Sequence, residues 1–378
     1  MTEKAAKAKP AWVTNLLLFL ATVASVLLTG VANTGSDTSF GALFSRDSIA
    51  HGAEFAGTLL SILVAHELGH YIAARIHKVK ASLPYFIPLP LLSPFGTMGA
   101  VIRMRGTIPT RHALLDIGAS GPLAGLLFAI PLYVWGVAHS SLVTVGDDTI
   151  WFGESILMKV IHRLVGPPIP EGMDIQLSPA GFGAWGGLFV TMINLLPVGQ
   201  LDGGHVAYAL FGPKQDRYAR FVHRSMLAFF FVIVFGHLAR DLVSGAGAYH
   251  LGRHVANSMF WLVWFQVLAI LGTLSRDPQR PRTSQHTMSI RTRLISTIGL
   301  LVIANLARDH HNPIYLIAFF GGLALLLAME IKGGTLRHHD LLEHPETAST
   351  PLDSGRKAIA IVTLLMFVLL FMPEPFTM

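Results

Sequence analysis

Nine apolar runs, separated by polar stretches, organise this 378-residue chain. They cover approximately residues 11–28, 52–76, 113–138, 177–196, 225–243, 255–274, 294–307, 314–331 and 358–372. Most approach the roughly 20 residues that a helix needs to cross a hydrocarbon core, while the seventh and the ninth are short. The pattern predicts an all-α polytopic membrane protein of about nine transmembrane helices. Arg291 and Arg293 precede the seventh run and Arg308 follows it. These side chains are expected to snorkel to the two interfaces, or to mark a shallow re-entrant pair formed with the eighth run. After the second run, the stretch 96–104 follows a proline-rich segment, 84–94, and has a strand-like centre. It predicts a small membrane-associated β or re-entrant segment, whose free edge at Gly99, Ala100 and Val101 would pair with an unwound substrate chain by β-augmentation.

Composition supports the membrane reading, with 52% hydrophobic and only 13% charged residues against roughly 25% charged in a soluble domain. The formal net charge of +6 is spread over short connections rather than gathered in one patch, so no nucleic-acid partner is expected. These charges instead orient the bundle. Basic residues precede the first run and follow the second, fourth, sixth and eighth, whereas residues 139–176 carry Asp147, Asp148, Glu154, Glu171 and Asp174 against Lys159 and Arg163. The expected topology has a cytosolic amino terminus and an external carboxyl terminus in a cell membrane. The first run reads as an uncleaved span rather than a signal peptide, for want of a convincing small-residue cleavage site. There is no cysteine, so any metal must be held by histidine and carboxylate.

The chemistry lies in the second run. Residues 66–70 read His66-Glu67-Leu68-Gly69-His70, and on a helix the two histidines project from one face, where they can hold one zinc ion. Glu67 is placed to take a proton from zinc-bound water. Ionisable groups at membrane depth are costly without a function, which points to peptide hydrolysis within the bilayer. A catalytic zinc usually has three protein ligands, and Asp202 follows the fourth run in the segment Asn194-Leu195-Leu196-Pro197-Val198-Gly199-Gln200-Leu201-Asp202-Gly203. From Leu68 to Lys78 the helical rise is about 15 Å, which puts the histidines in the cytosolic half of the membrane, the side to which Asp202 emerges.

These two motifs, together with the glycine-rich stretch from Asp116 to Gly125, resemble the site-2 protease family of intramembrane zinc metalloproteases. That family pairs H-E-x-x-H on one span with N-x-x-P-x-x-x-L-D-G on another. The resemblance covers roughly residues 11–274. It implies one Zn2+ per chain bound by His66, His70 and Asp202, activation of water by Glu67, and a role for Asn194 in holding the substrate or its developing oxyanion. It also implies a transmembrane protein as substrate. The apolar pair between 294 and 331 looks additional to the family's core. The chain divides into an amino-terminal part (1–50), a catalytic core (51–212), peripheral spans (213–285) and additional carboxyl-terminal spans (286–378).

Other readings compete at several positions. Gly118, Gly121 and Gly125 suit close helix packing. Asp116 suits a structural role at a helix start, and His205 is either a partner of Asp202 or an interfacial polar residue. His237, Arg240 and Asp241 suit interfacial polar contacts. His338, His339, Asp340, Glu343 and His344 read as a solvated loop before a metal site. A metal-ion transporter is the rival function, since membrane histidines and carboxylates can line an ion path. An inactive binding scaffold is the other. The polar residues gather near one face, and Glu67 between two ligands suits hydrolysis better.

Overall fold

The computed structural model describes residues 11–34, 45–90, 93–105, 108–144, 151–245, 247, 250–274, 288–310, 312–337, 342 and 350–377. In chain order the elements are α1 (Ala11–Thr34), α2 (Arg46–Ile76), β1 (Lys80–Ala81), β2 (Tyr85–Pro88), β3 (Thr97–Val101), β4 (Met104–Arg105), α3 (Arg111–Ala138) and β5 (Ser141–Thr144). Next come β6 (Trp151–Phe152), α4 (Ile156–Val165), β7 (Met173–Gln176), α5 (Pro179–Asn194), α6 (Asp202–Phe211), a 3-10 turn (Gly212–Lys214) and α7 (Gln215–Ser244). The chain closes with α8 (Leu251–Leu274), α9 (Ile290–His310), α10 (Pro313–Gly333), α11 (Ser354–Leu370) and β8 (Phe376–Thr377). Each of the nine apolar runs thus lies on a helix.

Among the described residues, seven helical segments are long and apolar enough to cross a membrane: Trp12–Asn33, Arg46–Ile76, Arg111–Ala138, the continuous stretch Asp202–Ser244, Leu251–Leu274, Ile290–His310 and Pro313–Gly333. The protein is a mostly helical, polytopic membrane protein. The two helices that fall short are α5, with 16 residues, and α11, with 17. The seventh run, read as short from its arginines, is instead a 21-residue helix that includes them. The reason is electrostatic: Arg293 is fully buried rather than snorkelling, and its guanidinium pairs with Glu330 on α10 while donating to Gln266 Oε1 on α8 at 2.8 Å. Glu330, also fully buried, accepts from the backbone N–H and hydroxyl of Thr335 at 2.7 and 2.9 Å. Glu330 is thus fully hydrogen-bonded, while Arg293 uses only Nη1, its Nε and Nη2 being buried without a partner among the described residues, so the opposite charge of Glu330 is what admits it to the bundle.

The contacts divide the chain into two units. The first contains residues 1–145, 156–194 and 347–370. Its centre is a bundle in which α2 packs on α1, α3 and α5, and α3 also packs on α5 and α11. Leu59, Ile62, Leu114, Leu115, Ala184 and Leu188, all nearly inaccessible, fill the space between these helices. Helix α2 is started by Ser45, whose hydroxyl accepts from Ser48 N, and α3 by Thr110, whose hydroxyl accepts from Ala113 N at 3.1 Å; each side chain satisfies an amide that has no partner within its helix. Strands β2 and β3 pair antiparallel, with Tyr85 opposite Val101 and Phe86 opposite Ala100. The hairpin leans on α1, where Asn15 Nδ2 donates to the carbonyls of Leu83 and Pro84, both at 2.9 Å, and Phe19 meets Phe86 edge-on. Strands β5 and β7 form a second hairpin that spans the excursion between α3 and α5.

The second unit contains residues 146–155, 195–346 and 371–378. Here α7 packs on α8, α8 on α9, and α9 on α10. Strand β8 pairs with β6, and Trp261 Nε1 on α8 donates to the carbonyl of Pro373. His237 and Asp241 do make polar contacts, the first with Glu374 at 2.9 Å and the second with His254 at 2.7 Å. The histidine-rich stretch at His338, His339, Asp340, Glu343 and His344 lies outside the described residues.

Candidate metal centre

The first unit brings His66, Glu67, His70 and Asn194 together. His66 and Glu67 are buried in the middle of α2, and His70 is half-buried one turn on. The imidazole Nε2 atoms of His66 and His70 face each other 3.1 Å apart. Two imidazoles on one tetrahedral zinc, each at about 2.05 Å, would hold their nitrogens about 3.3 Å apart.

The other nitrogen of His70 explains how its ring is set. Nδ1 donates its proton to the carbonyl of Ile117 on α3 at 2.7 Å. In a neutral ring that bond leaves Nε2 as a bare acceptor, the form that binds a metal. Asn194, the last residue of α5, places Nδ2 at 3.3 Å from His66 Nε2. A bare ring nitrogen turned toward a second imidazole and flanked by an amide is a donor set that fits a zinc ion.

Glycines make this approach possible. A β-carbon at Gly121 would come within 2.1–2.5 Å of Nε2, Cε1 and Cδ2 of the His70 ring, far inside van der Waals contact. At Gly125 it would only touch His66, at 3.4 Å. One at Gly69 would run into the carbonyl of Ser120, so the backbones of α2 and α3 meet at the motif itself. The glycine-rich stretch therefore serves close packing against the two histidines.

Asp202 and His205 belong to the second unit. Pro197, three residues past the end of α5, cannot extend a helix, and the chain then turns through Val198 N to Leu196 O at 2.8 Å and Leu201 N to Val198 O at 3.3 Å. Gly199 sits at φ +57°, a left-handed conformation suited to glycine. The turn is tight: β-carbons at Gly203 and Gly204 would strike the carbonyls of Leu195 and Gly199. Asp202, half-buried, is the first residue of α6, and the His205 amide bonds back to Leu201 O at 3.0 Å. In β3, Thr97 to Val101 form a strand that, among the described residues, pairs on one edge only, and Val101 and Met98 are exposed.

Sequence reasoning missed the groups around Asp116. Its carboxylate accepts from His77 Nε2 at 2.8 Å and from Arg356 Nη2 at 2.7 Å. His77 follows His70 by seven residues and so repeats on the same helix face, a signal present in the sequence. Arg356 lies 240 residues away from Asp116, beyond the reach of any local pattern.

Two imidazoles with a carboxylate between them in sequence, held on a helix of a polytopic membrane protein, form a donor set of the kind that zinc peptidases use. Residues 54–233 match the model of peptidase family M50. Among curated proteins, the probable zinc metalloprotease EGY2, chloroplastic, of Arabidopsis thaliana is 37% identical over 163 residues, 42% of this chain and 29% of the relative. The protein of the same name from Oryza sativa subsp. indica is 30% identical over 210 residues, 55% of this chain and 38% of the relative. The probable zinc metalloprotease EGY1, chloroplastic, of Arabidopsis thaliana is 35% identical over 160 residues, 41% of this chain and 29% of the relative. The chain thus spans less than two-fifths of the length of these relatives. No solved structure matches it.

Proposed function

We propose that the chain is an intramembrane zinc metalloprotease that cleaves peptide bonds in or near transmembrane segments of other membrane proteins. The observation that carries this reading is the pair of facing Nε2 atoms, one of them fixed as an acceptor by Ile117, within a family M50 segment. His66, His70 and Asp202 are the proposed zinc ligands, with one ion per chain. Chain continuity supports Asp202: Asn194 is already at His66, and only eight residues separate the two, several of them folded into turns rather than extended.

A zinc ion held there would supply a Lewis acid, which acidifies a coordinated water and polarises a carbonyl. Glu67, adjacent to His66 and buried, takes the proton of the attacking water and passes it to the leaving amine. Asn194 Nδ2, already beside the metal-facing nitrogen of His66, donates to the carbonyl oxygen as negative charge develops on it. A substrate helix must unwind to reach these groups, and the unpaired edge of β3 at Gly99, Ala100 and Val101 offers backbone bonds to the unwound chain. The alternation of basic loops supports a cytosolic amino terminus and an active site toward the cytosolic side.

The test is purified protein in detergent, with zinc content measured beside cleavage of a model single-span substrate. Wild type is expected to hold about one zinc and cut, and Glu67→Gln to hold zinc and not cut. Cleavage by Glu67→Gln at the wild-type rate would remove Glu67 from the mechanism. Zinc-free protein that still cleaves would remove the metal reading altogether.

A further inference from the structure

The carboxyl-terminal helix α11 lies outside the family segment at 54–233, yet it belongs to the same unit as the histidines. It meets that unit through one charged contact next to the carbonyl that orients His70. Arg356, in the first turn of α11, forks onto the Asp116 carboxylate, with Nε at 3.0 Å from Oδ1 and Nη2 at 2.7 Å from Oδ2. The same carboxylate accepts from His77 Nε2, at the end of α2. A planar two-point contact of this kind fixes angle as well as distance.

Arg356 is itself held from behind. Its Nη1 donates to Asp353 Oδ2 at 2.9 Å and its backbone N–H to Asp353 Oδ1 at 3.0 Å. These bonds hold the Asp353 carboxyl down to about 2, so it is an anion at any physiological pH. One turn of chain earlier, His112 Nε2, near the start of α3, bonds to the carbonyl of Pro351 at 3.1 Å. The segment that leads into α11 is therefore tied to α3 at two points.

Asp116 is followed directly by Ile117, whose carbonyl receives the His70 Nδ1 proton. His77 and His70 are two helical turns apart on one face of α2, so α3 grips α2 at both, through the Asp116 side chain and the Ile117 carbonyl. A shift or rotation of the start of α3 would move that carbonyl off the His70 ring. We propose that Arg356, acting through Asp116, is a positioning residue for the zinc ligand His70, so that helix α11 forms part of the frame of the metal site. Removing the clamp frees the start of α3, loosens the bond from His70 Nδ1 to the Ile117 carbonyl that orients the ring, and weakens the site for metal without changing any proposed ligand residue.

This inference rests on the reading of His66 and His70 as zinc ligands, and the experiment separates the two. Zinc affinity is measured by competition with a chromophoric chelator for wild type, Arg356→Ala, Arg356→Lys and Asp116→Asn, beside the visible spectrum of the cobalt-substituted proteins and the melting temperature of each apo form. Replacement of groups that orient metal ligands costs roughly 10- to 100-fold in metal affinity. Arg356→Ala and Asp116→Asn are expected near the lower bound, about tenfold, with a shifted cobalt spectrum and a reduced kcat at unchanged KM. Arg356→Lys, which keeps the charge without the fork, falls between them and wild type. Affinities and cobalt spectra equal to wild type overturn the proposal, even if the apo melting temperatures fall, because a purely structural clamp would move only the latter. If Arg356→Ala does not fold, Asp116→Asn and Arg356→Lys decide by the same criteria. Failure of the wild type itself to bind zinc strikes at the underlying reading instead, and the proposal falls with it.

Discussion

Gly121→Ala and Gly125→Ala make the same chemical change one helical turn apart on α3, and the structure gives them opposite consequences. At Gly121 the new methyl clashes with the His70 ring, coming within 2.1 Å of Nε2, the nitrogen proposed to bind the metal. The ring cannot yield freely, because its other nitrogen is bonded to Ile117 O at 2.7 Å. Overpacking of this kind costs about 1–3 kcal/mol, and loss of the Nδ1 bond adds about 1 kcal/mol. If the sum of about 2–4 kcal/mol falls on the metal-bound state, zinc affinity drops by about 30- to 700-fold, at 1.4 kcal/mol for each factor of ten. At Gly125 the methyl makes an ordinary contact with His66 at 3.4 Å, and affinity is expected to stay within a factor of about three, less than 1 kcal/mol. Gly57→Ala on α2, with no atom within 4 Å, serves as a neutral helix control. Chelator competition followed by cleavage of a single-span substrate measures all three. Equal zinc affinity in Gly121→Ala and Gly125→Ala would refute the argument that Gly121 exists to admit the His70 ring.

Three further outcomes are expected. Arg293→Ala strands the Glu330 carboxylate in the bundle and should cost about 3–5 kcal/mol, whereas Arg293→Met combined with Glu330→Leu should recover most of it; thermal unfolding in detergent reads both, and additive losses would reject the pairing. Val101→Pro puts a residue without an N–H at the exposed edge of β3, so cleavage should fall while zinc content holds, and unchanged cleavage by a folded, zinc-loaded variant removes substrate pairing from the reading. Thr110→Ala deletes the hydroxyl that caps α3 and should cost about 1 kcal/mol, seen as a lowered melting midpoint.

The facing pair of imidazoles was legible in the sequence because its groups are close in chain order. His66, Glu67 and His70 sit within one and a half helical turns, and the spacing alone places both imidazoles on one face. The helices were legible for a similar reason, since each apolar run became one. Their lengths were not. Arg291, Arg293 and Arg308 made the seventh run look short, yet the partner that admits Arg293 into the bundle, Glu330, lies 37 residues on, and hydropathy treats each charge as if alone. The fourth run, which read as near full length, gave only 16 helical residues because Pro197 and the turn after Asn194 take its end. The bond from His70 to Ile117 runs to a backbone carbonyl, which no residue type announces. The Arg356 fork joins residues 240 apart, a contact that exists only once the helices have packed.

The buried pair on α9 and α10 also bears on how the protein is made. An arginine at the centre of a lone transmembrane helix carries an insertion penalty of roughly 2.5–3.5 kcal/mol, and Arg293, in the first turn of α9, a smaller one. During synthesis Arg293 emerges 37 residues before Glu330, an interval of roughly 2–7 s at 5–20 residues per second. Gln266 of α8 has already been made by then, and its amide oxygen accepts from Arg293 at 2.8 Å. A nascent α9 therefore has a polar partner in the helix that precedes it before α10 delivers the carboxylate.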